Sequence, residues 1–437
     1  MRLKLVRDSL TLITYAQLGL FGYFLYGFGP VVPLLRDEQG TSRAVASLHG
    51  SALAAAVVVS GTIFPPLVRR HGRPRVMWTG AVGLAVGAVA LWAARSFPAT
   101  MAAAFVAALA GSLLVNGVVA TLSDHHGPAG PAAISEANAV AAGVGAIAPL
   151  IVGASVAAGA GWRAGLAVLI PAVAAVALVA WILRRRSPAT NQTAVHTPVA
   201  SGAGRGRLPI TYWLAWTSMV ATGSVEVCLN LWAGDELRAH AGVSPGVATA
   251  ALSAIIGGMF LGRLLGTRLL LRFAAPRVLL GAIALSAAGF TVFWLATSAW
   301  LAVVGLLVCG LGNALHYPLA IAIAIDHSAG QPDLAAARGG YAMGVGFGLA
   351  PFVLGSLADA AGPHRAFLLV YGLLAVAAVV VWWLLRLPVG LSPARDGDAV
   401  AERQQHGVDP LGGGDGVVER DDRPVARGLG SDHPPAA

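Results

Sequence analysis

A chain of 437 residues that is 57% hydrophobic and only 11% charged, with a mean hydropathy of +0.72, cannot cover a soluble body of its size, since soluble domains carry roughly 25% charged residues. Its net charge of +9 comes from arginines that punctuate apolar runs and form no basic face, which excludes nucleic acid as a partner and leaves topology-setting charge. Two cysteines, Cys228 and Cys309, both inside apolar runs, exclude a disulfide framework and argue against a metal site.

A membrane-spanning helix needs about 20 apolar residues. Runs of that kind begin near Leu10, Ala44, Val76, Ala99, Ala132 and Ala164, and a second set begins near Pro209, Pro245, Val278, Trp300, Ala335 and Ala366. The first run is too long for the core of a cleaved signal peptide and reads as helix 1. The stretch 187–207, rich in Ser, Thr, Pro and Gly, reads as a linker between the two sets. Beyond Pro388 the composition turns polar and holds nine of the 20 acids, so 389–437 is expected to be a disordered tail and the membrane body is nearly acid-free. The expected architecture is therefore an all-α integral membrane protein of twelve helices: a bundle of six in 1–186 and a second in 208–388.

An internal repeat supports this division. A shift of 202 residues places Arg36 on Arg238, Gly40 on Gly242, Ser42 on Ser244, Asp124 on Asp326, His125 on His327, Pro149 on Pro351 and Arg163 on Arg365. One offset holding over turns and helices implies two halves of equal orientation, and so an even number of helices in each. With the N-terminus in the cytoplasm, inner segments hold sixteen Arg and Lys and outer loops six, which predicts both termini inside.

The loop between helices 2 and 3 reads PPLVRRHGRPR, in which Arg70, Gly72, Arg73 and Arg75 carry a likeness to the G-x-x-x-D-R-x-G-R-R loop of the major facilitator superfamily. Arg69 stands where that family has Asp and Pro65 where it has the first Gly. Helix 5 (GVGAIAPLIVG) and helix 11 (GVGFGLAPFVLG) resemble the family's glycine-rich, proline-centred helix 5 segment associated with exporters, with Ala148 in place of one Gly. The resemblance covers about 10 to 388 and implies two parallel six-helix halves that alternate access to a midplane site.

An ionisable residue deep in a spanning helix is costly and marks function by default. Glu226 lies well inside helix 7, where a carboxyl can load a proton on one side and release it on the other; it is the expected proton-coupling residue. Asn230, four residues on, shares its face. In the superfamily, helices 1, 4, 7 and 10 line the central cavity. That resemblance makes Gln17, Tyr23 and Tyr26 of helix 1, Ser112 and Asn116 of helix 4, and Asn313, His316 and Tyr317 of helix 10 the expected substrate-binding residues, with Asn230. Asp124 and Asp326 end helices 4 and 10 beside loop arginines. With Arg70, Gly72, Arg73 and Arg272 they form an expected cytoplasmic gate. Arg263 in helix 8 either snorkels to the interface or pairs with an acid. Trp232 and Trp300 are expected in an interfacial belt, and His49 as a packing or interface residue.

The expected activity is secondary transport of a small organic solute across the cell inner membrane, driven by protons. Export of a drug-like compound or metabolite comes first, on the helix 5 segment; uptake of a sugar or other small organic solute is the alternative. No Walker-type GxxxxGK[ST] is present, so ATP is not expected to drive the chain. No catalytic residues, no cofactor and no metal are expected. The partners are the solute, protons and the lipid bilayer, and the working unit is a monomer.

Overall fold

The computed structural model describes residues 5–186, 207–270 and 272–386. The expected tail 389–437 and, apart from Arg207, the expected linker lie outside them. Among the described residues the regular structure is entirely helical. Ten stretches of these residues are long and apolar enough to cross a membrane. One of them, Phe97–Ala157, holds two helices, and Ile210–His240 is a further long helix made more polar by Glu226, Asp235 and Glu236. That brings the number of membrane-crossing helices among the described residues to twelve.

Helix 1 runs from Ser9 to Phe28, tightens into a 3-10 turn at Gly29–Val31 where Pro30 interrupts the α ladder, and continues as Val32–Gln39. Helix 2 is Arg43–His71, helix 3 Arg73–Ala93, helix 4 Phe97–His126 and helix 5 Gly130–Ala157. Helix 6 is broken into Gly161–Ala167 and Leu169–Arg186. The second half follows the same plan. Helix 7 is Ile210–His240, and helix 8 is Pro245–Ala251 with Ser253–Leu270. Helix 9 is Ala275–Leu295, and helix 10 is Ala299–Asn313 with His316–Asp326. Helix 11 is Pro332–Ala361, and helix 12 is Pro363–Ala366 with Leu368–Arg386.

The 202-residue repeat recurs in local detail. Gly40 and Gly242 both take left-handed backbone, φ +62° and +64°, a conformation that costs a residue with a Cβ and that closes a tight turn. Two residues on, Ser42 and Ser244 both cap the following helix, accepting the main-chain N–H of Val45 at 3.2 Å and of Val247 at 3.4 Å. Such agreement at turns is what two copies of one folding unit give.

The halves meet along two seams that the repeat relates. Helix 5 lies against helix 8, and helix 11 against helix 2. At the first seam a Cβ on Gly153 would meet the Gly246 carbonyl oxygen at 2.5 Å, and at the second a Cβ on Gly355 would meet the Ser47 hydroxyl at 2.7 Å. Gly153 and Gly355 are repeat-equivalent, so the same small residue lets main chains approach on both seams. The outward faces stay apolar: Val82, Val86 and Val89 of helix 3 are about half exposed, as a lipid-facing surface requires.

Candidate functional site

Below, the near end of the bundle is the one where helix 1 starts, and the far end the one where it stops. A cavity of about 280 Å³ lies between the halves, lined from one side by Tyr26, Ser112 and Asn116 and from the other by Glu226, Asn230 and Phe347. Gly50, Leu53, Ala54, Val57 and Ser60 of helix 2 complete an otherwise apolar wall.

Five of the expected residues thus converge on one space. Asn116 donates through Nδ2 to the Ser60 hydroxyl at 3.1 Å. The Ser112 hydroxyl is buried and has no partner among the described residues, and a buried polar group left unpaired is costly unless a ligand or water meets it. Asn230 packs its side-chain amide directly onto Gly29 in the 3-10 turn of helix 1, where any Cβ would collide with it. That contact joins helix 7 to helix 1 across the halves. Arg263 of helix 8 lies within electrostatic range of both Glu226 and the Tyr26 hydroxyl. Tyr26, Glu226 and Arg263 are thus neighbours on helices 1, 7 and 8 that feel one another's charge without a salt bridge between Glu226 and Arg263.

The other expected binding residues sit off the cavity. The Tyr23 hydroxyl donates to the Gly165 carbonyl at 2.6 Å, fixing helix 1 to helix 6. Gln17 is buried in helix 1 nearer the chain's start. Asn313 and His316 are tied into their own half by Ser286 of helix 9, which donates to Asn313 Oδ1 at 3.0 Å and meets His316 Nε2 at 3.2 Å. Tyr317 is 40% exposed on the outer side of helix 10. Helices 2 and 11 therefore contribute where the sequence points to helix 10. Ser60 and Phe347 are the residues sequence reasoning did not place, and Arg263, read there as snorkelling or pairing with an acid, was not assigned to the cavity. Arg263 carried a signal, a charge inside an apolar run.

At the near end, Gly72 turns the chain between helices 2 and 3 at φ +79°, and Arg73 Nη1 pairs with Asp124 Oδ2 at 2.7 Å. Arg70, Arg272 and Asp326 are exposed, and among the described residues no ion pair involves them. Arg7 pairs with Glu136 at 2.6 Å, and His125 with Asp8 at 2.8 Å. Each of these bonds stays inside the N-terminal half.

The far end is different. Asp235 of helix 7 accepts from Arg36 at 2.7 Å and from Arg43 at 2.7 Å, both from the other half. Arg238 meets Asp37 at 2.7 Å. Asp359 of helix 11 accepts the main-chain N–H of Arg43 at 3.0 Å and of Ala44 at 2.9 Å, placing an anion on the N-terminus of helix 2. The hydroxyls of Ser47 and Ser51 donate to main-chain oxygens of helix 11, at Pro351 (2.7 Å) and Gly348 (2.6 Å). Trp232 is buried here and donates to Ser47 at 3.1 Å, so it is an inter-half contact and not a belt residue; Trp300 is 69% exposed. His49 is enclosed by Phe28 and Phe97 and bonded to Thr100, a packing role.

Comparison with known proteins agrees with this architecture. The sequence matches the Major Facilitator Superfamily over residues 15–236 and again over 214–411, one match for each half. The chain belongs to the major facilitator superfamily, a family of membrane transporters and not of enzymes, and it is a secondary transporter of a small solute. Among solved structures it is similar in fold to a point mutant of the nucleoside transporter NupG, with TM-score 0.67 and 15% identity over 86% of this chain and 99% of that one. It is also similar to a bacterial homologue of the human lysosomal transporter Spinster, at 0.65 and 16% over 89% and 97%. The transporter FucP follows at 0.57 and 18% over 86% and 98%. No curated protein matches the sequence.

Proposed function

We propose that the chain carries a small polar organic solute by alternating access and couples it to protons through Glu226. The observation that carries the reading is the grouping of Glu226, Arg263 and Tyr26 across three helices beside a cavity shared by both halves. When Glu226 is ionised, it attracts Arg263 and holds helix 7 against helix 8. A proton on Glu226 cancels that attraction and frees the guanidinium for Tyr26 or for the solute. Protonation is thereby linked to the packing of helices that must move. Tyr26, Ser112, Asn116 and Asn230 supply hydroxyl and amide groups for the solute, and Phe21, Phe28 and Phe347 supply flat apolar faces.

The proposed setting is the cell inner membrane, with both termini and the linker 187–207 on the cytoplasmic side and the far end facing out. The bundles are assigned to 1–186 and 208–388, the tail 389–437 is cytoplasmic, and the working unit is a monomer. In this orientation the bonded end faces outward.

Export is the proposed direction, on the glycine- and proline-bearing segments of helices 5 and 11. A second reading, uptake of a sugar or similar solute, is favoured by the cavity. Its volume of about 280 Å³ falls below the roughly 300–1,000 Å³ of drug-sized sites, and the chain's neighbours in fold include a nucleoside transporter and a fucose:proton symporter. Flux in everted vesicles with and without an imposed pH gradient separates the two directions. Glu226→Gln should abolish gradient-driven accumulation while solute exchange at equal pH persists. Full gradient-driven transport in that variant would remove the coupling role.

A further inference from the structure

We propose that Glu236, His240 and His364 form a binding site for a divalent transition-metal ion, Zn²⁺ above all, at the far end of the C-terminal half. Glu236 and His240 stand four residues apart on helix 7 and so share a face, and His364 is brought to them by the first turn of helix 12. One donor atom from each of the three lies within 4.8 Å of the others. Donors around a tetrahedral Zn²⁺ are about 3.4 Å apart, from bonds of about 2.0–2.1 Å, so loading closes the wider gaps of the cluster and opens the 2.6 Å Glu236–His364 contact.

Two features point to a ligand. Glu236 is 2% exposed, and while its Oε1 meets His364 Nδ1 at 2.6 Å, its Oε2 is buried without a partner among the described residues. A cation beside that oxygen satisfies it. The His364 ring is also held in place from behind. Trp294 stacks on it at 4.4 Å and donates from Nε1 to the His364 carbonyl at 2.9 Å, an outer support of the kind that orients metal ligands.

The empty arrangement has His240 stacked on His364 at 4.1 Å. Coordination turns the exposed His240 ring out of the stack. The His364 nitrogen that binds the ion is the deprotonated one, its proton carried by the other ring nitrogen. Two imidazoles and a carboxylate select zinc, nickel or copper over magnesium or calcium, and the exposed side of His240 leaves room for entry and for a water as fourth ligand. The ion would tie helix 7 to helix 12 one residue from Asp235, the acid that holds Arg36 and Arg43 of the other half.

The test is calorimetric titration of the purified full-length protein, free of any histidine tag, with ZnCl₂. One ion per chain is expected, with no heat from MgCl₂ at the same concentration. His240→Ala changes an exposed side chain, so its fold should survive; it should weaken Zn²⁺ binding at least tenfold, as should His364→Ala. His125→Ala/His126→Ala, at the opposite end, should bind as the parent does. Absence of saturable Zn²⁺ binding, or unchanged binding in a folded His240→Ala protein, overturns the site. Slower solute flux on adding Zn²⁺ to the far side of proteoliposomes, lost in His240→Ala, would tie it to transport.

Discussion

The far and near ends of the bundle carry the same kinds of charged side chain, but among the described residues only the far end also sends them across to the other half. At the far end Asp235, Asp37 and Asp359 each reach an arginine or main-chain N–H of the other half. At the near end Arg73–Asp124, Arg7–Glu136 and His125–Asp8 each close within the N-terminal half. The first pattern decides whether the halves stay together at that end, whereas the second stiffens one half as a unit. Ion pairs in a two-body machine therefore act according to whether they cross the moving boundary.

Three substitutions test this contrast. Asp235→Ala strips the buried hub from two arginines. Its side chain is 4% exposed, and those of Arg36 and Arg43 are 12% and 24% exposed. The far-closed state should lose about 2 kcal/mol, short of the roughly 3–5 kcal/mol for breaking a fully buried pair, because both arginines keep some water. A cysteine replacing Val32, which lines the cavity and is fully buried, should then react on the order of tenfold faster with an impermeant maleimide from the far side. Unchanged reactivity would deny Asp235 a closing role. Asp359→Asn keeps the shape and one acceptor but removes the anion from the helix 2 terminus. About 1 kcal/mol and a several-fold rise in the same labelling rate are expected. Asp124→Asn breaks a pair whose side chains are 26% and 44% exposed. It should cost under about 1 kcal/mol of thermal stability and leave labelling at Val32→Cys unaltered. A large rise there would mean that the near end also controls closure.

The helices themselves were legible in the sequence, since each apolar run begins within three residues of the helix that forms, and the 202-residue offset marks both the Gly40/Gly242 turns and the Ser42/Ser244 caps. The site was legible in part. Tyr26, Ser112, Asn116, Glu226 and Asn230 stand out as polar residues in apolar runs, and all five meet at the cavity. Asn313 and His316 stand out equally, yet Ser286 on the neighbouring helix engages one polar atom of each, away from the cavity. A serine one helix away gives no sign in sequence that it will do so. The far-end contacts were missed for a different reason. Arg36, Arg43 and Arg238 were weighed as charges that set topology, and a charge tally does not say which acid each one finds. Cysteine counting likewise passes over a site made of histidine and glutamate, although the four-residue spacing of Glu236 and His240 was there to be read.

The seam between helices 5 and 8 adds a consequence of its own. Where Gly153 faces Gly246, neither chain offers a knob for the other to climb over, so the crossing works as a smooth bearing. One half can roll on the other there with little steric friction. What holds the halves at the far end is then left to the charges there, Asp235, Asp37 and Asp359 with their partners.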